Sequence, residues 1–143
     1  MLFETAEHLK KENAFIKDIE ELWDCSLGKQ PIAKQIDCII YDHDDFVIGC
    51  LEIKIRNFNR KAFDTLMISS KKILTGQNWS FFSHQPFILA VRLNDCDIYL
   101  EVDPHKTWPM RLGGMRYPRV SEDREPVFYI PLKEFKQITK RTT

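Results

Sequence analysis

The chain has 143 residues, which fits one domain over 1–143 whose core removes about 70% of the unfolded surface from water. It is 43% hydrophobic and 29% charged, with 21 basic and 21 acidic residues. That excludes a disordered segment and argues against a polycation that coats nucleic acid unselectively. No run approaches the ~20 apolar residues of a membrane span, and Met1–Lys11 has no apolar signal core, so a cytoplasmic protein without a membrane partner is expected.

From Thr5 to Trp23, Leu9, Phe15, Ile16, Ile19, Leu22 and Trp23 recur at helical spacing. Thr5 is a candidate cap, and Gly28 and Pro31 then break the chain. Gln35–Asp42 and Phe46–Arg56 are rich in Ile, Val and Cys and read as strands, joined by turn residues His43-Asp44-Asp45. Arg60–Leu74 carries Phe63, Leu66, Met67 and Leu74 at helical spacing and predicts a second helix ended by Gly76. Pro86–Leu93 and Asp97–Val102 predict two more strands turned at Asn94-Asp95. Pro104–Asp123 predicts a long loop, and Pro126–Phe135 a last short strand and turn. The four cysteines form no C-x-x-C pair; three lie in apolar contexts and are expected as buried free thiols.

Charge is unevenly placed. Met1–Cys25 holds seven acids against three lysines, and Asp37–Glu52 five acids and no base. Lys54–Lys72 then holds six bases against Asp64 alone, and His105–Arg119 four bases (Lys106, Arg111, Arg116, Arg119) and no acid. Basic stretches flanking an acidic one suit a polyanion held beside a cation, as well as a plain surface of mixed charge.

Alternate strand residues share a face. In the second strand Val47, Gly49, Leu51, Ile53 and Ile55 form one apolar face. The other starts with Phe46, Ile48 and Cys50 and turns charged at Glu52, Lys54 and Arg56. Charges at the end of a buried strand need partners or a function. A turn centred on Asp44-Asp45 makes paired positions sum to 89, so that Asp42 faces Val47 and Asp37 faces Glu52. Carboxylates so placed repel, and one stays protonated unless a cation joins them. Hard oxygen ligands suit Mg²⁺, which takes one or two carboxylates and keeps several waters. A cross-strand salt bridge of Lys54 with either acid is the plain alternative.

An acidic helix, an Asp on one strand, Glu-x-Lys on the next and a following helix resemble the PD-(D/E)XK nuclease superfamily. Here the motif is Ile36-Asp37, then Glu52-Ile53-Lys54, with Ile36 where the proline would stand. Leu22-Trp23-Asp24-Cys25, Ile68-Ser69-Ser70-Lys71-Lys72 and Glu125-Pro126-Val127 are similar to runs in small phage and prophage nucleases of Holliday-junction-resolvase-like type. The resemblance implies an α/β fold with a restriction-endonuclease-like core (αβββαβ), a central mixed sheet of about four to five strands, and flanking helices. It implies an endonuclease dependent on Mg²⁺ or Mn²⁺ that hydrolyses DNA phosphodiester bonds, structure-selective or nonspecific, in phage DNA processing in the host cytoplasm. Asp37 and Glu52 would ligate the metal with the Ile53 carbonyl, and Lys54 would position the attacking water. Glu12 is the choice for the helix glutamate found in many members, with Glu7 its rival and Glu20 or Glu21 behind. A nuclease that cuts two strands commonly works as a homodimer, but no heptad or apolar stripe in this sequence announces an interface, and the oligomeric state stays open.

Arg56, Lys72, Arg111 and Arg116 are the candidate nucleic-acid contacts, with Arg119 on the same loop as the last two, and Gln35 a candidate support for Lys54. Trp79, Phe81 and Phe82 suit core packing better than base stacking. The histidines fit no H-x-x-x-H spacing, and phosphate-loop and serine-elbow motifs are missing from the sequence. The rival functions are a noncatalytic nucleic-acid-binding module and a protein-interaction adaptor on the same fold.

Overall fold

A computed structural model describes residues 6–30, 36–114 and 124–138. Helix α1 (Ala6–Trp23) leads into β1 (Ser26–Lys29), β2 (Cys38–Tyr41) and β3 (Val47–Ile55). A short 3-10 turn, Arg60–Ala62, precedes β4 (Thr65–Ser69) and α2 (Ser70–Ser83). Strands β5 (Phe87–Arg92), β6 (Asp97–Glu101), β7 (Met110–Gly114), β8 (Arg124–Pro131) and β9 (Lys136–Gln137) complete the order.

Six strands form a mixed sheet in the order β1-β2-β3-β5-β6-β9, with β3 and β5 parallel and the other neighbours antiparallel. A parallel neighbour requires a crossover, and β4 and α2 supply it. On one face Phe15 and Ile19 of α1 pack on Cys38, Ile40, Leu51, Ile53 and Ala90. On the other, Ile73 of α2 joins Cys50, Phe87, Leu89 and Val91. A second sheet, β4-β8-β7, covers that same face with Leu66, Ile68, Phe128 and Ile130. The fold is α/β with a mixed central sheet and flanking helices, as expected, and one strand larger.

Arg92 fastens α1 to the sheet. Its guanidinium reaches Asp18 at 2.6 Å and Asp97 at 2.8 Å, and lies 4.6 Å from the Phe15 ring centroid. Buried Gln77 fastens α2: its Nε2 donates to the carbonyls of Asp103 and Lys106 at 2.9 and 2.7 Å.

Several expected elements differ. Arg60–Leu74 is not a helix: β4 occupies its middle, and the helix starts at Ser70 and runs through Gly76 to Ser83. Leu66 and Ile68 point into the core while Met67 is exposed, because β4 pairs with β8 some sixty residues away. Pairing at that range outweighs the local 3.6-residue pattern. The expected loop 104–123 contains β7, which pairs with β8. β1 forms where a break is expected: Gly28 pairs with Ile39, and a Cβ there would lie 2.6 Å from the Tyr41 ring, which rests over the glycine. Of the four free thiols two, not three, are buried: Cys38 and Cys50. The candidate cap Thr5 lies outside the described residues.

The hairpin keeps its counted register over most of its length. Cys38 pairs with Leu51, Ile39 with Cys50 and Ile40 with Gly49. A bulge then puts Tyr41, not Asp42, opposite Val47. Asp42 closes the turn instead: its Oδ1 accepts the N–H groups of Asp44 and Phe46, each at 2.9 Å, and Asp45 adopts φ 65°. Because the bulge sits at the turn end, the register at the Cys38 end is untouched.

Candidate active site

Extending that register by one residue brings Asp37 opposite Glu52. Asp37 is held there twice. Its Oδ2 accepts the N–H of Ile53 at 3.0 Å, and its carbonyl accepts the N–H of Gln30 at 2.7 Å. The N–H and C=O of a strand residue point to the same side. The Ile53 carbonyl therefore opens toward the strand edge that Asp37 occupies.

Glu52 shares its strand face with Cys50 and Lys54, toward α2, and is 2% exposed. Burial, and next the Asp37 charge, push its pKa up to about 8, with Lys54 and Lys72 pulling the other way. Lys54 Nζ lies 3.3 Å from Glu52 Oε2, outside hydrogen-bonding geometry, so Oε2 is buried without a hydrogen bond. Lys72, in the first turn of α2, lies 3.8 Å from Asp37 Oδ1. The result is two carboxylates and two ammonium groups at one strand end, with one acid inclined to hold its proton near neutrality. The plain alternative for Lys54, an ion pair, is present, though along β3 rather than across strands.

Glu12 is placed differently. Its Oε2 is buried and faces Lys29 Nζ of β1 at 3.6 Å and His8 Nε2 at 4.0 Å. It lies on the α1 side of the sheet, whereas Glu52 faces α2. Among the described residues no group of three or more His, Cys, Asp or Glu side chains is arranged to hold a metal ion. Glu12 is thus not drawn into a ligating cluster with Asp37 and Glu52. The Cys38 thiol is pushed up to about 12 by burial, then by the Asp37 charge, with Glu52 and Glu12 adding and Lys29 opposing. The rival Glu7 is exposed and pairs with Lys11 at 3.6 Å, and Glu20 accepts the Leu27 N–H at 2.8 Å.

Arg56 continues the face of Glu52 and Lys54; burial lowers its pKa and the Glu52 charge opposes. Arg111 lies on β7 with its guanidinium 6.0 Å from the Tyr129 ring, as part of the second sheet. Arg116, Arg119 and Gln35 lie outside the described residues. Trp79 packs against the core, but Phe81 and Phe82 are exposed at 49% and 74%, against expectation. Lys29 escaped sequence reasoning, because no local pattern links β1 to the helix acid it meets.

A helix, a hairpin whose second strand carries Glu-x-Lys opposite an aspartate, and a parallel strand after a second helix are the arrangement of PD-(D/E)XK nucleases. The chain belongs to the family described as "Phage putative PDDEXK endonuclease", whose family model matches residues 1–138. Neither the curated proteins nor the solved structures give a match.

Proposed function

We propose that the protein is a divalent-metal-dependent endonuclease that hydrolyses DNA phosphodiester bonds, structure-selective or nonspecific, in phage DNA processing. The observation that carries this is the buried, hydrogen-bond-free Oε2 of Glu52 beside Lys54, with the Asp37 carboxylate opposite. Retaining two acids where one is driven toward neutrality makes sense when a cation joins them. The donor set fits a hard ion: the Asp37 and Glu52 carboxylates and the Ile53 carbonyl, all oxygen. Bound there, Mg²⁺ or Mn²⁺ supplies a water of lowered pKa and neutralises charge on the phosphate.

The chain's own groups do the rest. Asp37 stays fixed through the Ile53 and Gln30 N–H groups. The Lys54 ammonium, three-quarters buried beside Glu52, orients the attacking water and takes up charge on the phosphate oxygens. Lys72 balances Asp37 before substrate arrives and turns to the phosphate when it does. Glu12 is a positioning residue: it holds Lys29, and the next residue, Gln30, donates to the Asp37 carbonyl. Arg56, Arg111 and Arg116 serve the nucleic-acid backbone.

One observation favours a noncatalytic binding module: each carboxylate already has a lysine partner. A cleavage panel of duplex, single strand, flap and four-way junction decides, run with Mg²⁺, Mn²⁺ or EDTA beside Glu52→Ala. Metal-dependent cutting absent from the variant is expected. No cutting on any substrate, with no metal binding by calorimetry, overturns the nuclease in favour of the module.

A further inference from the structure

A groove opens past the carboxyl end of β3, on the α1 side of the sheet. It encloses about 590 Å³ between α1 and the chain leaving the carboxyl ends of β3 and β5. Such strand ends are where open α/β sheets receive ligands. His8, Lys11 and Ala14 form one wall, at spacings of three that share a helix face. Arg56 and Asn57 line the other, along with Arg92 and Asn94.

In a chain of zero net charge, none of the described residues lining this groove is acidic, although the exposed Lys11 pairs with Glu7 at 3.6 Å. Another groove, of about 710 Å³, by contrast sets Glu101, Asp103 and Glu134 against Lys136, His84 and His105. Arg92 is already neutralised by Asp18 and Asp97. Arg56 is not: this half-buried guanidinium forms no ion pair with a described residue, and donates one long bond, 3.4 Å, to the Ile55 carbonyl. A half-buried cation short of acceptors calls for an anion. Asn94 donates to Asn57 Oδ1 at 2.9 Å, which leaves the Asn57 NH₂ group as a further donor. Arg56 follows Lys54 by two residues, about 7 Å along the strand, so an anion here is covalently within reach of one at Lys54.

We infer that this groove is a second phosphate subsite, which holds the nucleic-acid backbone beside the phosphate that is cut, with Lys11, Arg56 and Asn57 as its donors. The inference rests on the proposed nuclease reading for its substrate, but its test does not.

Ala14 is exposed on α1, so charge can be placed there without disturbing the core. Binding of a fluorescent oligonucleotide duplex is measured in EDTA, by anisotropy over a salt series, for wild type, Lys11→Glu, Ala14→Glu, Ala14→Lys and Glu52→Ala. Lys133→Glu, on the turn after β8, controls for net charge, and thermal unfolding controls for folding. Lys11→Glu and Ala14→Glu should weaken binding, with the log–log salt slope flattened by about 0.9 per lost duplex contact. Ala14→Lys should tighten binding and steepen the slope, a gain that misfolding cannot mimic. Binding unchanged in all three groove variants overturns the subsite, while metal-dependent cutting by wild type leaves the nuclease intact. Groove variants that lose binding beside a wild type that never cuts support the subsite and remove the nuclease. Inorganic phosphate or a mononucleotide bound as tightly as the duplex overturns a strand-holding role.

Discussion

The Asp37 carboxylate accepts the backbone N–H of Ile53 at 3.0 Å, across the mouth of the β2–β3 hairpin. This bond pins one acid to the strand that carries the other, against their mutual repulsion. Asp37 keeps a donor from the backbone, while Glu52 Oε2 has none and is buried. Glu52 is accordingly the member whose pKa climbs, to about 8.

Replacing Asp37 by Asn keeps an acceptor for Ile53 but removes the charge facing Glu52. The Glu52 pKa should then fall from about 8, yet stay above its ordinary 4.5 because burial is the larger cause. Carboxyl-carbon NMR titration of metal-free protein reads this directly. An unchanged midpoint would show that Asp37 does not act on Glu52.

Stability without metal should fall as pH rises. The folded protein holds the Glu52 proton up to about 8, whereas an unfolded chain releases it near 4.5, so the folded state binds more protons throughout that window. The stability is complete below the unfolded value and is lost on the way up through the folded one. The slope approaches about 1.4 kcal/mol per pH unit. Urea unfolding in EDTA at several pH values should show it in wild type, and Glu52→Gln should flatten it.

Lys54→Ala should abolish metal-dependent cleavage by about 100-fold or more while the protein stays folded. Removing the ammonium should also raise the Glu52 pKa further, since Lys54 opposes the shift. Retained cleavage in a clean preparation would take Lys54 out of the mechanism.

Gly76→Ala should destabilise the protein, although alanine favours helices by about 1 kcal/mol over glycine. A Cβ at position 76 would overlap the Phe87 ring, which packs directly on the α2 backbone. Overpacking of this kind costs about 1–3 kcal/mol. Denaturant unfolding measures the sum, and a stabilised variant would contradict the packing described.

Arg92→Lys keeps the charge but cannot reach Asp18 and Asp97 together in fork geometry. A loss of about 2 kcal/mol is expected, with hydrogen exchange in α1 accelerated first. Equal stability of the two proteins would mean that the bridge does not hold the helix.

Much of the site was legible because it depends on counting. Strand alternation put Glu52 and Lys54 on one face, and a turn at Asp44-Asp45 carried Asp37 opposite Glu52. The bulge at Ile40–Tyr41 shifted only the turn end. Other parts were not legible. Phe63, Leu66, Met67 and Leu74 carry a helical spacing, yet β4 runs through them because β8 offers a partner that no local window contains. Gly76 reads as a stop, yet stands inside α2 to admit Phe87.

By itself the sequence determined the acid–acid–lysine set at the end of one hairpin and the α/β alternation around it. These follow from backbone periodicities that every residue carries locally. The tertiary structure alone decided that Lys72 meets Asp37, that Glu12 meets Lys29 on the other side of the sheet, and that a groove with no acid among its described lining residues opens beyond Arg56. Those relations join elements far apart in the chain, and they exist only once buried apolar faces have fixed which layers lie against one another.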